Sequence, residues 1–212
     1  MDASQVDAAP IDVTFRRLVD DDLPMLHRWL QNPGVVRWWE GDDVSWDAVV
    51  DHDGSGSADP VEHWVAAVDG RPVGWIQCDA AADDPAEAEA WWTLGVDRSA
   101  AGIDDLIGAP ADRGRDLGAG MLRAFVAEVV FGGHPGWTQA CAAPYAANEA
   151  SWRALSRAGF RCVGVVDDDD GPCNLMVVDR PAGGEPPGQP GPTTSPGASH
   201  GPSQGPSPSA SP

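Results

Sequence analysis

The chain has 212 residues and a formal charge of −20, with 33 acidic residues against 13 basic ones, all of them arginine. This balance argues against a nucleic-acid partner, whose phosphates need a basic face, and suits either a cationic small molecule or simply solubility. The 42% hydrophobic share is enough for a full core, and Cys78, Cys141, Cys162 and Cys173 have neither zinc-motif nor disulfide-framework spacing. The opening MDASQVDAAP lacks the basic and apolar regions of a signal peptide, and no apolar run approaches membrane-spanning length, so the expected setting is cytoplasmic.

In chain order, IDVTFRRLV (11–19) alternates like a strand. Residues 21–31 place Leu23, Leu26, Trp29 and Leu30 at helical spacing behind an acidic start. Residues 45–53 predict a short helix capped by Ser45. Two apolar runs around Asp69-Gly70 predict a hairpin over 63–80. EAWWTLGV and GIDDLIG read as further strands. Residues 117–131 carry the clearest helical stripe, with Leu117, Met121, Leu122, Phe125, Val126 and Val129 on one side. WTQACAAP reads as a short strand, and 148–160 as a helix that Asn148 caps and Gly159 ends. FRCVGVV and CNLMVVD make a closing hairpin around DDDDGP. The sum is one mixed α/β domain, residues 1–180, built on a central sheet. From Pro181 the composition turns to Pro, Gly and Ser with Glu185 as the one charge, so residues 181–212 are expected to be a disordered tail.

The stretch GIDDLIGAPADRGRDLGAGMLRAF places arginines and glycines before the clearest helix. A helix start presents unpaired N–H groups and partial positive charge, glycine allows close approach, and arginine adds charge-assisted hydrogen bonds. Arg115-x-x-Gly118-x-Gly120 therefore reads as an anion-binding loop. It is not a P-loop, which needs a lysine, nor a dinucleotide fingerprint, whose third glycine is differently spaced. Asp104 and Asp105 sit between the apolar residues Ile103 and Leu106 of an expected inner strand, and alternation puts Asp105 on the opposite face from Asp104. A carboxylate there can accept the proton of an amine. Most other acids of so acidic a chain are solvated surface charges. Ten tryptophans suit core packing; one member of each pair Trp38-Trp39 and Trp91-Trp92 can wall a site. The five histidines are scattered without metal spacing, and no metal is expected.

Taken in order, GIDDLIGAPADRGRDLGAGMLRAF and PYAANEASWRALSRAGF resemble the GNAT superfamily of acetyl-CoA-dependent N-acetyltransferases. VVRWWEG, Trp91-Trp92, the Gly102-Ile103-Asp104 triplet and FRCVGVV are most similar to its aminoglycoside 6′-N-acetyltransferases and their siderophore-biosynthesis relatives. The resemblance covers roughly residues 12–180. It implies a mixed, mostly antiparallel sheet flanked by helices, and acetyl-CoA as co-substrate. The pyrophosphate would lie on Arg113, Gly114, Arg115, Leu117, Gly118, Ala119 and Gly120. The pantetheine arm would lie on the backbone near Leu106 and Ile107, and Asn148 would contact the cofactor or cap its helix. It further implies an amine held by Trp39, Glu89, Trp92, Asp97 and Asp104, with Asp104 as base in a direct transfer. The acceptor is expected to be an aminoglycoside. The alternatives are a siderophore-type hydroxylated lysine or polyamine, or a non-catalytic acyl-CoA-binding module. Three positions depart from the pattern: Asp116 replaces a loop glycine, Leu155 replaces a tyrosine that can protonate the departing thiolate, and Ala143 replaces an acid.

Overall fold

The computed structural model describes residues 11–39, 43–114, 116–168 and 171–182. Arg115, the end of VVRWWEG, two acids of the DDDDGP turn and tail residues 183–212 therefore lie outside the described residues.

Seven strands form one sheet: β1 (Thr14–Arg17), β2 (Glu62–Val68), β3 (Arg71–Ala80), β4 (Ala100–Ile107), β5 (Gln139–Ala142), β6 (Arg161–Asp168) and β7 (Gly171–Asp179), in the order β1-β2-β3-β4-β5-β7-β6. All neighbours are antiparallel except β4 and β5. The β2–β3 hairpin closes through Asp69 and Gly70, with φ of 51° and 74°. Both are left-handed, as a tight two-residue hairpin demands. The expected mixed α/β class is what forms.

The helices are α1 (Leu23–Leu30), the single turn α2 (Pro33–Val36), α3 (Trp46–Asp53), α4 (Pro85–Thr93), α5 (Leu117–Phe125), α6 (Phe131–Gly133) and α7 (Glu149–Ala158). A π-helical turn, Val126–Val130, joins α5 to α6. The Ser45 hydroxyl accepts the Ala48 N–H at the start of α3. Asn148 accepts the Ser151 N–H at the start of α7, and Gly159 ends that helix at φ 108°. One sequence expectation fails. EAWWTLGV is not a strand, because its first half completes α4. Proline in the first turn followed by alternating Ala and Glu favours helix over the aromatic pair's preference for strand.

Period-two alternation divides the core. Ile76, Cys78, Ala101 and Ile103 pack with Leu122 and Phe125 of α5 and Leu155 of α7. Trp75 and Leu106 pack on the other face with Leu23, Leu26 and Leu30 of α1 and Val49 of α3. Gly74 lets β3, β4 and α5 close up. A Cβ there would sit 2.6 Å from the Leu106 carbonyl oxygen and 2.9 Å from the Met121 sulfur.

The sheet parts at its one parallel seam. β4 and β5 pair only through Ala100↔Gln139, Ala101↔Ala140 and Gly102↔Cys141. β5 then follows β7, and beyond it the Asn174 N–H bonds the Pro144 carbonyl. From Ile103 to Ile107, β4 pairs with β3 alone.

Candidate active site

A cavity of about 660 Å³ opens where β4 and β5 diverge. On the side of α1 and α3 its wall is acidic and aromatic, with Asp43, Asp53, Asp79, Asp84 and Asp104 beside Trp38, Trp39, Trp75 and Trp91. On the side of α7 it is lined by Asp105, Tyr145, Asn148, Ser151 and Leu155. No arginine is among its described lining residues.

The carboxylates follow from strand register. Gln77 and Asp104 are direct cross-strand partners, and the Gln77 amide donates to Asp104 at 3.0 Å. Asp79, two residues along, shares that face and stands opposite Gly102. A side chain at Gly102 would crowd it, with a Cβ 3.0 Å from its carboxylate oxygen. Burial, then the nearby Asp104 carboxylate, push the Asp79 carboxyl up to about 7. Asp105 pairs with Ile76 and so belongs to the α5/α7 face; burial, then Asp104, push it too up to about 7. The expectation that Asp104 and Asp105 face opposite ways agrees with this register.

A second polar group meets the acidic wall at Asp53. His63 stacks on Trp75, with ring centroids 5.8 Å apart, and its Nδ1 lies 3.1 Å from Asp53 Oδ1. Burial lowers the His63 pKa, partly opposed by Asp53. His52 stands 3.6 Å from the same oxygen. Although distant in sequence from His63, His52 and Asp53 thus come together with it, their candidate ligand atoms all within 4.8 Å of one another.

The glycine-rich loop lies at the other end of β4. The Arg113 guanidinium donates to the carbonyls of Ile107 and Gly108 at 3.3–3.5 Å, tying the loop to the strand end. Gly114 and Asp116 both have left-handed backbones, φ 76° and 56°. Asp116 thus adopts the conformation that a glycine would take without strain. Its carboxylate turns to α7, where it pairs with Arg157 at 3.0 Å. Leu117, Gly118, Ala119 and Gly120 form the first turn of α5. Gly118 faces α7, and a Cβ there would make only an ordinary contact, 3.6 Å from the Ala154 methyl.

Of the remaining expected site residues, Trp39 and Asn148 line the cavity with Asp104. Leu106 is buried against Trp75, and Ile107 packs beside Leu117 and Met121, so both present backbone rather than side chain to the unpaired edge. Glu89 is exposed on α4. Trp92 lies beneath Arg98 at 4.0 Å, outside the cavity lining, while its neighbour Trp91 lines it. Asp97 accepts the Ser99 N–H and hydroxyl, each at 2.8 Å, ordering the turn into β4. Sequence reasoning missed Asp79, Asp53, His63 and Trp75. Alternation from Gln77 could have found Asp79; the others depend on long-range packing.

A sheet parted at its parallel seam, with a glycine-rich loop and helix beside the gap, defines an acyltransferase of the kind the sequence resembles. The model of the acetyltransferase (GNAT) domain matches residues 19–168, and the chain belongs to this family of acetyl-CoA-dependent acetyltransferases. It is 32% identical to the aminoglycoside N(6′)-acetyltransferase type 1 of Klebsiella pneumoniae over 174 residues, 80% of this chain and 84% of that one. A kanamycin resistance protein of Rhizobium radiobacter is 33% identical over 96 residues, 45% of this chain and 87% of that one. Among solved structures, AAC(6′)-Ib with paromomycin and acetyl-CoA superposes with a TM-score of 0.69 at 30% identity, covering 80% of this chain and 94% of that one. The same enzyme with coenzyme A and kanamycin gives 0.68 at 29% identity, covering 80% and 95%. No described helix is long and apolar enough to cross a membrane.

Proposed function

We propose that this chain acetylates the 6′-amine of an aminoglycoside directly from acetyl-CoA. The observation that carries the acceptor class is the wall of Asp43, Asp53, Asp79, Asp84 and Asp104, unrelieved by any described arginine. Such a wall concentrates a polycation and discriminates against anions. The kanamycin and paromomycin complexes of similar enzymes support the same class.

The donor side fits acetyl-CoA by chemistry that is mostly main chain. The unpaired edge of β4 offers N–H and C=O groups, near Leu106 and Ile107, to an amide-bearing arm. Gly114 in the loop and the first turn of α5, Leu117 to Ala119, offer N–H groups to a pyrophosphate, with Arg113 and Arg115 adding charge; the Gly120 N–H is spent on the Asp116 carbonyl. Asn148 organises the start of α7 beside it. Trp39 shapes the acceptor wall; Glu89, Trp92 and Asp97 lie outside the described lining and take no part in this reading.

Asp104 takes the amine proton. Its carboxylate faces the acceptor wall at the seam, and Gln77 holds it by one hydrogen bond. Direct attack by the neutral amine then needs no covalent enzyme intermediate. The acetyltransferase domain is residues 1–180, and the reading requires nothing of residues 181–212. Asp104→Asn keeps shape and removes charge. Turnover of kanamycin, read by thiol release, is expected to fall about 10²–10⁴-fold while acetyl-CoA affinity is unchanged. Wild-type-like turnover in this variant would exclude Asp104 as the base.

A further inference from the structure

Thioester aminolysis expels a thiolate, and this cavity is poorly built to receive one. Its described lining carries five carboxyls on one wall and no arginine, and the chain has no lysine. Leu155, almost completely buried, lines the α7 side and carries no proton. An anion released there must be neutralised by a proton already in place.

We propose, building on the acetyl-transfer reading above, that Asp105 is the general acid that protonates the departing sulfur. Three observations place it. It stands on the stretch of β4 that has lost β5 as a neighbour. Its register with Ile76 puts it on the α7 face, opposite to Asp104, and it lines the cavity with Ser151 and Leu155. No hydrogen bond or ion pair to another described residue occupies its carboxyl, whereas Asp104 is held by Gln77.

Adjacent carboxyls on opposite faces of one strand can thus divide the two proton transfers. The ammonium gives its first proton to Asp104, which passes it to solvent; the neutral amine then forms its bond to the acetyl carbon, and Asp104, ionised again, takes the second proton that nitrogen loses. The carbon–sulfur bond breaks with its electron pair on sulfur, and the Asp105 proton moves to that sulfur. Asp104 ends protonated and Asp105 ionised, and exchange of one proton through solvent restores both. The environments separate the roles: a desolvated carboxyl beside a like charge holds its proton near neutral pH. Around Asp105, β3 contributes Ile76 and the Cys78 thiol, itself pushed up to about 12, and α7 contributes Ser151 and Leu155. Tyr145, on the loop after β5, lines the same cavity, and the charge acting on Asp105 is that of Asp104.

The test compares wild type with Asp105→Asn, Asp79→Asn and Tyr145→Phe. Asp105→Asn is expected to bind acetyl-CoA within threefold of wild type by calorimetry and to lose about 10²–10³-fold in kcat. Wild-type kcat is expected to fall as pH rises through neutrality, and Asp105→Asn should lose that fall. Independently of turnover, the infrared band of a protonated carboxyl at pH 6.5 should weaken in Asp105→Asn; the Asp105 contribution should survive in Asp79→Asn. Near-normal kcat in Asp105→Asn, an unchanged carboxyl band, or a comparable kcat loss in Tyr145→Phe would each overturn the assignment. Failure of the wild type to acetylate any amine would instead overturn the functional reading, which separates the two failures.

Discussion

Asp79 offers the sharpest thermodynamic test of the acidic wall. Its carboxyl is held up to about 7 in the folded chain against an ordinary 3.8. The folded state therefore keeps a proton that the unfolded chain has released between these two pH values. Stability associated with that proton is fully present below the unfolded pKa and is lost as pH rises towards 7. Roughly 3 units at 1.4 kcal/mol each set a ceiling of about 4 kcal/mol. The carboxyl is only partly desolvated, and screening by water reduces this to about 1–2 kcal/mol. Asp79→Asn removes the titration while keeping shape. It should match wild type in acid and be more stable by that amount at pH 8. For a domain of this size the gain corresponds to a Tm higher by about 2–8 °C. Thermal melts of both proteins at pH 5, 6, 7 and 8 read the effect directly. A Tm difference that does not grow with pH would refute the reasoning. The same carboxyl gives the acceptor reading a calorimetric signature. A polycation draws its pKa back down, so acceptor binding near pH 7 should release protons in wild type and fewer in the variant.

Two further outcomes follow from the loop and the seam. Asp116→Gly relieves a left-handed non-glycine residue and removes an acid from the start of α5, at the loss of an exposed pair with Arg157. With a charge at a helix end worth about 0.3–1 kcal/mol, the KM for acetyl-CoA should fall about two- to fivefold, and a raised KM in initial-rate measurements would contradict this. Gly74→Ala drives a methyl against the Leu106 carbonyl oxygen, which is backbone and cannot rotate away. It should cost about 1–3 kcal/mol in urea unfolding, and a neutral result would show that β3 and β4 can part without penalty.

The sequence announced elements whose cause is local. The Asp69-Gly70 turn, the Ser45 and Asn148 caps, the Gly159 stop and the apolar stripe of 117–131 all act within one or two turns of chain. At α4 the local signals conflict: Trp91-Trp92 favour a strand, while the Ala-Glu run before them carries the stronger preference, for helix. The site was legible only in part. Asp104 and Asn148 stand in recognisable local settings. The parting of β4 from β5 is set by residues some 40 positions apart, and no local pattern records it. Asp53 and His63 meet only because α3 is laid across the sheet. The turn of Asp116 towards Arg157 depends on how α5 and α7 dock, which the loop's own residues do not specify.

The parted seam has an evolutionary corollary. The edge that β4 leaves open is main chain, and any residue but proline at Leu106 or Ile107 supplies the same amide groups. The facing wall is written in side chains from β3, β4, α3 and the loops around them. Recognition of the donor can therefore persist while the acceptor wall drifts, one residue at a time, without rebuilding the half of the site that carries the acyl group. A fold divided in this way can change its customer and keep its currency.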